Sequence, residues 1–130
     1  FTFYEYNNLT ILGNGATILA NPNQTCIVNN RGFYFKLCDN VYISDLTYDG
    51  NVSQRDPYLV DINTFNTQHG FSFSRCDNPV LERITATDCV MDGFTFHDGG
   101  SSIWVEGGTM RDCKALYNYR QGLTANGHKS

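Results

Sequence analysis

The phrase RGFYFKLCDN at positions 31–40 returns as HGFSFSRCDN at positions 69–78, and this self-similarity constrains the fold more than any other feature of the chain. Aligned copies open on Gly32, Gly70, Gly93 and Gly122, separated by 38, 23 and 29 residues. A period in the twenties, lengthened by insertions at one place per copy, marks a solenoid, whose units bury their apolar faces only by stacking on one another. After each glycine the pattern alternates, as in Phe71-Ser72-Phe73-Ser74 and Phe94-Thr95-Phe96-His97. Period two means a strand with one buried face. The inward set is then Phe33 and Phe35, Phe71 and Phe73, Phe94 and Phe96, Leu123 and Ala125, and stacked strands bring these side chains to about 4.8 Å from one another.

Each copy continues through a polar corner, Cys38-Asp39-Asn40 or Cys76-Asp77-Asn78, into a second alternating run, VYISDLTYDG or PVLERITATD. The opening stretch NNLTILGNGATILA fits as an earlier coil, with Leu9, Ile11, Ala16 and Ile18 inward. Residues 52–68 form the large insertion between two coils and read as a loop, where binding residues are often carried. The best helical candidate, RDCKALYNYRQG at 111–122, falls where the repeat demands a strand and a turn. The chain is therefore expected to be an all-β solenoid of about five coils, one domain over residues 1–130.

Nine basic against thirteen acidic residues give a net charge of −4, which excludes the phosphate-binding footprint of a nucleic-acid partner. No apolar run approaches the ~18 residues of a membrane span. The five cysteines, Cys26, Cys38, Cys76, Cys89 and Cys113, lack CxxC or CxxH spacing. They read as packing residues, and neither a metal nor a cofactor is expected.

The glycine-led strand, the phrase NVYISDLTYDGN at 40–51 and the closing YNYRQGLTANG at 117–127 resemble the right-handed, single-stranded parallel β-helix of the pectate-lyase-like superfamily. Within it the chain is most similar to the tailspike and depolymerase proteins of bacteriophages. The resemblance implies a segment of a longer, homotrimeric protein of the virion tail or extracellular space, which binds and hydrolyses a bacterial surface polysaccharide. The alternatives are a non-catalytic glycan-binding or structural β-helix and, second, a polysaccharide lyase. The polygalacturonase branch carries paired acids and a G-H-G motif. Here Met91-Asp92 and Arg120-Gln121-Gly122 stand in those places, so one acid and the histidine are missing and that activity is not implied.

If the glycine strands stack, the residues before them stack too: Arg31, His69, Asp92 and Gln121, with Arg120 one step further out. The outward positions Tyr34 and Lys36, Ser72 and Ser74, Thr95 and His97, Thr124 and Asn126 form a neighbouring column. Together they form a wall suited to an extended sugar polymer. Its binding candidates are His69, His97, Arg120, Gln121 and Lys36, with Trp104 as a sugar platform. The catalytic candidates are Asp92 and Asp98 on the wall and Asp49 and Asp61 on adjoining turns, beside Glu106. Glycoside hydrolysis needs two carboxylates about 5–9.5 Å apart, whereas the six residues from Asp92 to Asp98 span roughly 20 Å when extended. A working pair must therefore join different coils or neighbouring subunits. Elimination asks instead for a base and a cation, which His69, His97, Arg120 and Lys36 supply. Each candidate also has a structural explanation: Asp92 as a turn residue, His97 as an exposed strand residue, Arg120 as a clamp on carbonyls and Trp104 as packing.

Overall fold

Alternation after each glycine produces short strands, and equivalent strands pair side by side. The computed structural model describes residues 1–22, 31–55, 68–100 and 105–129. In chain order its strands are β1 (Thr2–Tyr4), β2 (Thr10–Leu19), β3 (Phe33–Lys36), β4 (Tyr42–Asp49), β5 (Phe71–Ser74) and β6 (Val80–Thr87). They continue with β7 (Phe94–His97), β8 (Val105–Glu106), β9 (Thr109–Arg111), β10 (Lys114–Leu116), β11 (Leu123–Asn126) and β12 (His128–Lys129). Sheet A runs β1-β3-β5-β7-β11 and sheet B runs β10-β6-β4-β2, with β9 also on β6. Every pairing is parallel. The chain thus passes repeatedly between sheets A and B, as a solenoid requires, while β8 and β12 pair as a third, two-stranded parallel sheet, and among the described residues there is no α-helix. The helical candidate at 111–122 is strand β10 between turns.

In-register pairing turns the repeated phenylalanines into two columns. Rings of Phe1, Phe33, Phe71 and Phe94 stack at 4.9, 5.0 and 5.5 Å, and those of Phe3, Phe35, Phe73 and Phe96 at 4.8, 4.8 and 5.0 Å. Sheet B faces them with the column Ile11, Ile43, Leu81, Met110 and with Leu46, Ile84 and Tyr48. Each fully buried ring contributes roughly 1.5–3 kcal/mol, and so does each buried aliphatic side chain that faces it from sheet B. The glycine ahead of each strand is required by close approach: a Cβ on Gly70 would lie 2.7 Å from the Gly93 carbonyl oxygen.

The corner after sheet A explains the Cys-Asp-Asn phrase. Cys38 and Cys76 are buried, and the Cys38 N–H donates to Cys76 Sγ at 3.3 Å. Asp39 Oδ1 accepts the N–H of Asp77 at 2.9 Å, and Asp77 Oδ1 in turn accepts the N–H of Glu106 at 2.7 Å. Asn8, Asn40 and Asn78 all adopt left-handed backbone, which asparagine tolerates. Their side-chain amides form a ladder at 3.3 and 3.5 Å.

Ala16 pairs with Leu46 in the inward column that continues to Ile84, as expected, and is exposed because β2 is the end strand of sheet B. One expectation needs correction. Ser72, Ser74 and Thr95 are buried, although their alternation points them away from the core. Thr95 Oγ1 donates to Ser72 Oγ at 2.9 Å, and the turn at Gly99 lies against Ser74, so small hydroxylated side chains sit beneath a covered stretch of sheet A.

Candidate functional site

The residues before the glycines do stack. Backbone N–H groups of Gly32, Gly70 and Gly93 donate to the carbonyls of His69, Asp92 and Gln121 at 2.9, 3.0 and 2.9 Å. This aligns Arg31, His69, Asp92 and Gln121 along one edge of sheet A. Beside them an open cleft of about 310 Å3 gathers Arg31, His69, Asp92, His97, Asp98 and Arg120.

Asp92 is the anchor. Its side chain is fully buried and accepts from Arg120 Nε at 2.7 Å, from Arg120 Nη2, and from Thr124 Oγ1 at 2.9 Å. Thr124 also lies 2.6 Å from Gln121 Oε1, so its single hydroxyl proton is shared between two acceptors. Burial alone would push the Asp92 carboxyl up, but the bonds from Arg120 and Thr124 and the charge of Arg120, with His69 adding least, outweigh it and hold it below its ordinary value. Asp92 is a fixed anion engaged by its own chain.

The two histidines are held neutral. His69 Nδ1 accepts the Asp92 N–H at 3.4 Å, and His97 Nδ1 accepts the Gly99 N–H at 3.2 Å. Each imidazole therefore carries its proton on Nε2. Burial is the main cause that brings the His69 pKa down to about 4, with Arg120, Arg31 and His97 adding to it and Asp92 opposing it. At His97, burial and the Arg31 charge push the pKa down while Asp98 pushes it up.

The remaining candidates divide. Asp98 lines the cleft at the end of β7, with Oδ1 accepting the Gly100 N–H at 2.9 Å and the carboxylate packed over Gly127. Asp49 lies at the end of β4 in sheet B, where its Oδ1 accepts the Asn51 N–H at 2.8 Å, so it closes a turn away from the cleft. Lys36 turns toward the Tyr4 ring, 5.8 Å from its centroid, two strands away from His97. Asp61, Trp104 and Cys26 lie outside the described residues. Arg31 and Thr124, which the sequence places in columns without assigning them chemistry, prove to line the site.

The arrangement brings together two neutral imidazoles, an arginine and a carboxylate around a fixed ion pair. Asp92 and Asp98 face the same cleft; Asp92 is fully buried and held below its ordinary pKa, the direction opposite to the one a protonated acid of a hydrolytic pair needs. The four described cysteines are free thiols, and burial pushes Cys76 and Cys89 up to about 12, as packing residues require. Comparison with protein-family models, curated proteins and solved structures finds no match.

Proposed function

We propose that this chain is a segment of a right-handed, single-stranded parallel β-helix of the pectate-lyase-like kind, and that its cleft binds and cleaves a bacterial surface polysaccharide. The handedness follows from a general rule: parallel strands joined by crossovers are right-handed in about 98% of cases. The observation that carries the function is the cleft itself. It combines hydroxyl, imidazole, guanidinium and carboxylate groups on a rigid sheet, which is the mixture that sugar hydroxyls demand. In a hydrolytic mechanism Asp98, which lines this cleft, is one carboxylate of the pair, and the second comes from a neighbouring subunit of a tailspike-like homotrimer on a virion tail or outside the cell.

A second reading, binding without cleavage, is favoured by the commitment of Asp92 to Arg120 and Thr124. Incubation with a panel of capsular and O-antigen polysaccharides separates the two. New reducing ends without absorbance near ~235 nm support hydrolysis, since elimination adds an unsaturated product that absorbs there. Binding without either signal supports the second reading, and neither binding nor cleavage of any polymer sinks both.

A further inference from the structure

The charges in the cleft do not all cancel in pairs. Arg120 is matched by Asp92 through two hydrogen bonds, so its charge is already answered. Arg31 makes no ion pair among the described residues. Its guanidinium carbon lies 3.9 Å from the centroid of the Tyr34 ring, and its Nε is buried with no hydrogen-bond partner. Burial lowers the Arg31 pKa, the direction expected of a cation that has lost water and gained no counter-charge. Buried donors are nearly always paired, and an unpaired one calls for an explanation.

Its neighbours offer the same chemistry. His69 and His97 use Nδ1 to accept backbone N–H groups, which leaves Nε2–H as the group each ring has to offer. The charge of Arg31 acts on both rings. Three donor side chains therefore line the same cleft: Asp92, the neighbour of His69, is taken by Arg120, His97 has Asp98 beside it, and Arg31 alone of the three has no carboxylate acting on it among the described residues.

We propose that Arg31, with the Nε2–H groups of His69 and His97, receives the carboxylate of an acidic sugar residue. This rests on the reading that the cleft takes a sugar chain, and it narrows the polymer to a uronate-bearing or similarly carboxylated one. A guanidinium is planar and presents paired donors in a fork that matches a carboxylate, and stacking on Tyr34 fixes its plane. Asp98, beyond His97, disfavours a carboxylate at that end and accepts sugar hydroxyls there. The acidic group is thus oriented toward Arg31.

The test uses a matched pair: a glucuronate-containing capsular polysaccharide, and the same polymer after chemical reduction of its carboxylates to hydroxymethyl groups. Affinity is measured for the whole chain and for Arg31→Gln. The intact polymer should bind at least about tenfold more tightly than the reduced one, the scale of a charge-assisted hydrogen bond, and Arg31→Gln should abolish that preference. Equal binding of the two polymers by the unaltered chain, or preference for the reduced one, overturns the inference and leaves the polysaccharide reading standing. An undiminished preference in Arg31→Gln also overturns it. Absence of binding across the whole capsular panel overturns both. Should Arg31→Gln fail to fold by circular dichroism, the matched polymers on the unaltered chain decide the matter alone.

Discussion

Acidification should weaken this fold, and His69 supplies a measurable share of the loss. The His69 side chain is 12% exposed, and its pKa falls from 6.5 to about 4, chiefly by burial. Between those values the unfolded chain binds more protons than the folded one, so stability falls as the pH falls. At about 1.4 kcal/mol per pH unit the full window is worth about 3 kcal/mol, and about 2 kcal/mol of it is lost by pH 5. Asp92 acts lower: its folded pKa is depressed, so its contribution persists at pH 5 and is lost only as the pH drops through the carboxylate range. Urea unfolding followed by far-ultraviolet circular dichroism, at about pH 7 and about pH 5, measures the loss. His69→Gln supplies the comparison, because glutamine is polar and does not titrate. The variant should lose about 2 kcal/mol less than the parent over that interval. Superimposable pH profiles would refute the reasoning, since they would mean that His69 titrates alike in the folded and unfolded chains.

Three further outcomes are expected. Arg120→Met strands the buried Asp92 carboxylate and should cost about 3–5 kcal/mol in urea unfolding; a loss below about 1 kcal/mol would show that Arg120 is dispensable to it. Phe73→Ala, between Phe35 and Phe96 at 4.8 and 5.0 Å, should cost about 3–5 kcal/mol, whereas Phe1→Ala, at a ring 64% exposed, should cost under about 1 kcal/mol. Similar values at the two positions would argue against the columns as a source of stability. Gly70→Ala places a Cβ 2.7 Å from the Gly93 oxygen and 3.0 Å from Cys89 Sγ, and should lower Tm by an amount equivalent to about 1–3 kcal/mol. An unchanged Tm there would mean that the coils can separate locally without cost.

The parts of this molecule that repeat were legible in the sequence, because stacking converts a shared position into a shared environment. Phe35, Phe73 and Phe96 announce their column by alternation, and Arg31, His69, Asp92 and Gln121 announce theirs by preceding a glycine. What alternation does not reveal is a partnership between copies that differ. Asp92 and Arg120 each read as reagents for a substrate, yet they belong to adjacent coils and meet each other. The signal was available in opposite charges one step apart on neighbouring edges, but side-chain reach decides whether such charges touch, and periodicity carries no information about reach. The same limit hid the buried face at Ser72, Ser74 and Thr95. Small side chains leave room for a covering segment, and alternation specifies direction without specifying what lies above. Left-handed backbone within β4 at Asp45 and within β6 at Arg83 was equally silent, since no glycine marks either place.

At the corner formed by Asp39 and Asp77, the amides of Asp39, Asp77 and Glu106 each receive a side-chain oxygen from the turn before, from Asn7, Asp39 and Asp77 in order. Any turn can therefore succeed any other there. Loss or duplication of one entire turn leaves every amide at that corner with an acceptor, while a gain or loss of part of a turn leaves an amide and a carboxylate facing nothing suitable. Change at this corner is tolerated in whole turns, so the length of such a molecule can drift over time while the geometry of its edge stays the same.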